Sequence, residues 1–310
     1  MRNLFALLVL SLFTLASAQS VGLSLSTLNN PFFVTLRDGA QAAADDAGYE
    51  LIVTDAQDSV STQISDIEDL VQRGVDALII NATDSDAVVP AVRSANDAGI
   101  PVIAVDRTVN GGDVAYFISS DNVAGGRLAA EFICNQLDSE GNVVELEGIP
   151  GASATRERGQ GFNEYMNSEC SSASIIASQT ANFNRAEGLS VMENILVAQP
   201  DIGAVFAHND EMALGALQAI EPSNRDMLVV GFDGTDDARQ AVEECRLAAT
   251  VAQRPDQLGQ EAINVAGRAV GGEVPSETES IAVELELVTN TECEGVSAPS
   301  GSTGGGTGGN

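Results

Sequence analysis

Short runs of β-branched and aliphatic residues alternate along the chain with longer stretches in which apolar residues recur at helical spacing. The runs predict strands at Val21–Ser26, Leu51–Asp55, Ala77–Asn81, Val102–Asp106, Val143–Glu147, Ile175–Thr180, Ala204–Ala207, Leu228–Phe232 and Ala248–Ala252. Most are near-continuous apolar runs, the pattern of strands buried on both faces. Several intervening helical segments stop at a glycine, as at Gly74 in VQRGVDALII and Gly99 in ANDAGIPVIAV. Glycine can adopt the left-handed conformation that ends a helix. Regular β-α alternation builds a parallel sheet covered by helices on both faces, an α/β doubly wound architecture. So many strands are too many for one comfortable sheet, so two sheets of about four to six strands each are expected. The break is expected near YFISSDNVAGG, where a strand-like run meets a polar turn and a new helix.

The two ends stand outside this pattern. MRNLFALLVLSLFTLASAQS has one Arg, an apolar run from Leu4 to Leu15, and the small residues Ala16, Ser17 and Ala18. It reads as a signal peptide over residues 1–18, cleaved after Ala18. Its apolar run is short for a membrane span, and no Cys follows the cleavage site to carry a lipid. The mature chain is expected to be soluble and exported, whether to a periplasm or otherwise. The final SAPSGSTGGGTGGN (residues 297–310) reads as a disordered Gly/Ser/Thr tail.

Charge narrows the range of partners. There are 45 acidic residues and 14 basic ones, all Arg, for a net charge of −31. Such a chain repels nucleic acid and anionic lipid, so neither is an expected partner, and the acidic surface reads as a solubility adaptation. The four cysteines, Cys134, Cys170, Cys245 and Cys293, contain no CxxC pair, and His208 is the sole histidine. No metal site is expected from that set. An even number in an exported chain points to two disulfides, and the cysteines alone leave three connectivities open.

In open α/β sheets ligands bind beyond the carboxyl ends of the strands. Those ends carry Ser26 with the loop NNPFF, Asp106 with Arg107, Asn209 with Asp210, Asp233, and Gln253. Each Asp or Asn taken alone is more simply a helix cap. The adjacent Phe32 and Phe33 are harder to dismiss: Pro31 suits a first helical turn, which puts both rings at the strand-end rim. Carboxylates, guanidinium and amides beside aromatic faces suit a sugar, whose hydroxyls need donors and acceptors and whose C–H faces need flat apolar surface. Acid–base chemistry from Asp106, Arg107 and Asp233 is the rival reading. The chain offers it no catalytic His pattern, no thiol beside a base, no Lys for a Schiff base and no Walker lysine, so an enzyme is not expected. The Gly-rich EGIPGASATRERGQG is a weak phosphate-loop signal.

The segments STLNNPFFVTLRDGAQ, INATDSDAV, IPVIAVDR, SDNVAGG, ATRERGQGF, NDEMALGAL, VVGFDGT and ATVAQRPDQLG, in this order and near-spacing, resemble the type I periplasmic sugar-binding protein family, specifically its ribose binders. The similarity runs from about residue 21 to residue 288. It implies two Rossmann-like lobes joined by a three-segment hinge, the first lobe at 19–120 plus 254–281 and the second at 121–253 plus 282–296. It implies a sugar held between them by Ser26, Asn30, Phe32, Phe33, Asp106, Arg107, Arg158, Phe183, Asn209, Asp233 and Gln253. It also implies hinge closure, delivery to the permease of an ABC transporter, possible service to a chemoreceptor, a monomer, and no cofactor. All four cysteines then fall in the second lobe, where pairings Cys134–Cys170 and Cys245–Cys293 are within reach. His208 departs from the pattern, which has Gln there. A repressor of the LacI type shares the architecture, but it would need a basic N-terminal DNA-binding segment in place of the signal peptide.

Overall fold

The computed structural model describes residues 19–293; the expected signal peptide and Gly-rich tail lie outside them. The described residues form two six-stranded sheets. We number the strands β1 (Ser20–Leu25), β2 (Glu50–Asp55), β3 (Ala77–Ile80), β4 (Val102–Val105), β5 (Tyr116–Ser120), β6 (Gly141–Glu147), β7 (Ala173–Thr180), β8 (Ala204–Ala207), β9 (Leu228–Asp233), β10 (Ala249–Ala252), β11 (Glu279–Val283) and β12 (Glu286–Thr289). The first sheet has the order β11-β5-β4-β3-β1-β2 and the second β12-β10-β9-β8-β6-β7. Their pairings are parallel except for β10 with β12. Two doubly wound lobes are therefore present. The chain passes between them at 120–122, at 252–255 and at 283–286.

Of the strands that the apolar runs marked, β3, β4, β8 and β10 lie inside their sheets and are buried throughout, whereas β2 and β7 stand at the edges. The strand-like run of YFISS is β5, at the expected break, while the sequence pattern did not single out β11 or β12. These two are edge strands with alternating or largely polar faces, ESIAV and ELVT, so no apolar run announces them.

The helices are α1 (Pro31–Ala47), α2 (Val60–Arg73), α3 (Val89–Asp97), α4 (Asn122–Gln136), α5 (Ser153–Glu169), α6 (Arg185–Ala198), α7 (Asp210–Ile220), α8 (Asp236–Glu243) and α9 (Pro255–Val270). Hydrophobic layers fill both faces of each sheet. Leu36, Leu258 and Ile263 lie on one face of the first and Ile67, Leu70 and Val92 on the other. Met192, Leu214 and Leu217 flank one face of the second, and Phe132, Phe162 and Phe206 the other.

Paired glycines let particular helices touch backbone to backbone. A Cβ on Gly126 of α4 would strike the carbonyl of Arg158 on α5, and one on Gly161 of α5 would strike the carbonyl of Val123. The disulfide Cys134–Cys170 ties the same two helices together, and Cys245–Cys293 pins the chain after β12 to the end of α8. These loops span 36 and 48 residues, and each closure restricts the unfolded chain by roughly 4 kcal/mol in the chain-entropy description.

Buried polar residues fix the loops at the strand ends. Asp210, fully buried at the start of α7, accepts from Thr250 Oγ1 at 2.7 Å and from the Thr235 backbone N–H at 2.8 Å, clasping the turn that follows β9. Burial raises its carboxyl to about 6, against the hydrogen bonds from Thr250 and Thr235.

Two outcomes follow. Replacing Gly126 by Ala lowers stability by about 1–3 kcal/mol in urea unfolding, because the α4–α5 contact must open. Helix propensity alone would raise it by up to about 1 kcal/mol, so the sign of the change discriminates. For Asp210, the folded state holds the proton more tightly than the unfolded chain, so this group's contribution to stability is present at low pH and is lost as pH rises from 3.8 through about 6. Asp210→Asn lacks that loss. Its stability relative to the parent therefore improves between pH 4 and pH 7, by at most about 3 kcal/mol. A flat or falling difference would contradict the assignment.

Candidate functional site

The carboxyl ends of both sheets face one another across a narrow, tightly closed cavity lined by Asn30, Phe32, Phe33, Asp106, Arg107, Ala154, Arg158, Phe183, Asn209 and Asp233. The lobes touch beside it: the Ser85 N–H donates to the Gly151 carbonyl and the Thr108 N–H to Ser153 Oγ, each at 3.0 Å. All the lining side chains belong to residues at most 9% exposed, so the lobes are closed over the cavity.

The first lobe contributes the start of α1 and the end of β4. Asn30 caps α1, accepting from the Phe32 N–H, and Pro31 opens the helix. Phe32 and Phe33 meet edge to face with ring centroids 5.1 Å apart. At the end of β4, Asp106 adopts φ +65°, a conformation unfavourable to residues with a Cβ. Its Oδ2 accepts from Asn81 Nδ2 at 3.0 Å, while its Oδ1 is buried without a protein partner. Arg107 Nε is likewise unpartnered, 3.6 Å from Asp106 Oδ2. Burial pushes the Asp106 carboxyl up, against the pull of Arg107 and Arg158, and pushes the Arg107 guanidinium down, against Asp106 and Asp58.

The second lobe supplies the opposite wall. Phe183, after β7, sits at φ +57° with its ring over Gly148, where any Cβ would collide with it. The Arg107 guanidinium lies 5.1 Å from the Phe33 centroid and 5.2 Å from that of Phe183, between an aromatic ring of each lobe. Arg158 stacks on Phe232 at 3.8 Å and donates to the His208 carbonyl at 2.6 Å and to Asp233 Oδ1 at 3.4 Å. Asn209 caps α7 and donates to the Phe183 carbonyl at 3.3 Å. Asp233, at φ +118°, also accepts from Gln253 Nε2 at 2.9 Å. Burial raises its carboxyl to about 8, opposed by Arg158 and reinforced by the nearby Asp210. Positive φ at Asp106, Phe183 and Asp233 is backbone strain of the kind that persists at ligand clamps.

The structure brings the sequence-predicted residues to this wall, except Ser26 and Gln253. Gln253 stands beside Asp233, with its Oε1 buried and unpartnered. Ser26 lies beneath the site, its Oγ donating to Asn81 Oδ1 at 2.6 Å. His208 turns its ring away from the cavity to Glu145, Nε2 to Oε1 at 2.9 Å. Burial works against the Glu145 charge, yet hydrogen bonds from His208, Asn163 and Ser178 hold its carboxyl below the usual range. Sequence reasoning missed Asn81, which orients Asp106, and Asn122, which accepts from Arg158. Asn81 does end a predicted strand, the same signal that marked Asp106.

The periplasmic binding protein domain model matches residues 21–273. The ribose import binding protein RbsB of Bacillus subtilis (strain 168) is 50% identical over 267 residues, which is 86% of this chain and 87% of that protein. An ABC transporter solute binding protein from Bacillus halodurans C-125, solved with bound myo-inositol, superposes with TM-score 0.81 at 35% identity, covering 87% of this chain and 94% of its own. A periplasmic solute binding protein from Actinobacillus succinogenes 130z, solved with bound D-allose, gives TM-score 0.81 at 31% identity over 87% of this chain and 97% of its own. With its two doubly wound lobes closed over a polar and aromatic cavity, this chain belongs to the periplasmic binding protein family.

Proposed function

We propose that the protein binds D-ribose between its lobes and delivers it to the permease of an ABC importer. It works as a monomer on the outer side of the membrane, after removal of residues 1–18, and without catalysing a reaction. The observation that carries this reading is the pair of unpartnered atoms at the cavity, Asp106 Oδ1 and Arg107 Nε, set against the rings of Phe33 and Phe183. Buried polar atoms without partners cost about 1–3 kcal/mol each, so a closed site of this kind calls for a guest that donates to one and accepts from the other. A neutral polyol does both.

A pentose has about 10 heavy atoms, with an affinity ceiling near 15 kcal/mol, and micromolar binding needs only about 8. Closure is a hinge motion at the three crossings, and only the closed form offers the sugar both lobes. A permease that accepts the closed shape then receives loaded protein selectively, and a chemoreceptor could use the same signal.

Calorimetry on protein unfolded and refolded to strip any resident ligand tests the guest. D-ribose binds most tightly among D-ribose, D-allose, L-arabinose and myo-inositol, and 2-deoxy-D-ribose binds about 5–100-fold more weakly because one buried partner is stranded. Heat from allose or arabinose and none from ribose would transfer the assignment to that sugar. Asp106→Ala weakens ribose binding by at least about tenfold, since it also leaves Arg107 buried and unpaired. Unchanged affinity in that variant would remove Asp106 from the site.

A further inference from the structure

Arg158 is held by a residue outside the cavity wall. Asn122 is the first residue of α4, immediately after the chain's first passage between the lobes at 120–122. It is 2% exposed. Its Oδ1 accepts from Arg158 Nε at 2.9 Å, and its Nδ2 donates to Glu157 Oε2 at 3.0 Å. The backbone contacts at Gly126 and Gly161 hold α4 against α5 and so place Asn122 beside Arg158. From Arg158 the hydrogen bonds continue to Asp233 Oδ1 at 3.4 Å and from there to Gln253 Nε2 at 2.9 Å. Gln253 lies in the second passage, between β10 and α9. A buried chain, Asn122–Arg158–Asp233–Gln253, therefore joins two of the three hinge segments through the wall of the cavity.

We propose that Asn122 is a positioning residue for sugar binding: it fixes the plane of the Arg158 guanidinium and ties that side chain to the hinge. A guanidinium is a planar fork, so fixing Nε to Asn122 and Nη1 to the His208 carbonyl sets the direction of every remaining N–H. Nη1 also donates to Asp233 Oδ1 at 3.4 Å, so three bonds set the fork. Without Asn122, Arg158 keeps its place on Phe232 but loses one of the three bonds that set its orientation. The effect on affinity rests on the proposed sugar-binding function; the effect on Arg158 itself does not.

The test compares the parent with Asn122→Ala and with the double variant Asn122→Asp/Glu157→Gln. The double variant reverses the polarity of the second bond. The carboxylate introduced at position 122 accepts both from Arg158 and from the amide introduced at position 157. D-ribose is titrated by calorimetry, and the Arg158 Nε–H resonance, assigned by its absence in Arg158→Lys, is followed without sugar. We expect Asn122→Ala to weaken ribose binding on the order of tenfold, and the double variant to return within about threefold of the parent. The Arg158 Nε–H exchanges faster with solvent in Asn122→Ala and returns to the parent's rate in the double variant. Parent-like affinity in Asn122→Ala, or a double variant no tighter than Asn122→Ala, overturns the proposal. If the parent itself binds no ribose, the functional reading fails, and the exchange rate decides the positioning role alone: an unchanged rate in Asn122→Ala overturns it.

Discussion

Closing two lobes over ionisable side chains removes those groups from water, and everything else at the site answers to that cost. Asp106, Arg107, Arg158 and Asp233 are each at most 4% exposed. Burial raises both carboxyls and lowers Arg107, so desolvation outweighs the attraction between neighbouring opposite charges at these groups. The protein meets part of the demand itself, through Asn81 on Asp106 and Gln253 on Asp233. The part left unmet, at Asp106 Oδ1 and Arg107 Nε, is where a hydroxylated guest contributes most. Affinity and closure are then one event: the guest supplies the partners that make burying these groups tolerable.

The rest of the fold serves to hold that arrangement firmly. Asp106 and Asp233 adopt backbone conformations that residues with a Cβ rarely take, and each is over-determined by neighbours. Asn81 is fixed by Ser26 on one side and binds Asp106 on the other, while Asp210 clasps the turn after Asp233 through Thr235 and Thr250. These supports are anchored in strands buried on both faces and in helices brought close by paired glycines. A site built in this way can discriminate hydroxyl patterns because its polar atoms have little freedom to relax around a missing partner.

Much of this was legible in the sequence because central strands of parallel sheets are unbroken apolar runs, and their ends can be located to within a residue or two. Asp106, Arg107, Asn209, Asp233 and Gln253 emerged from that rule alone. Capping does not exclude a place on the cavity wall: Asn30 and Asn209 cap helices with Oδ1 and still line the cavity. Arg158 and Phe183 were reachable only through family resemblance, since neither stands at an apolar strand end. The edge strands β11 and β12 carry too many polar residues to show a period. Asn81 and Asn122 act through side-chain hydrogen bonds to residues 25 and 36 positions away, and no local pattern encodes such pairings.

Small-angle scattering of the ligand-stripped protein, with and without D-ribose, tests the coupling of guest and closure most directly. If buried partners from the sugar are what close the lobes, the stripped protein is open and its radius of gyration falls on adding ribose. A stripped protein that is already compact, with a radius of gyration unmoved by ribose or any other monosaccharide, would contradict the account.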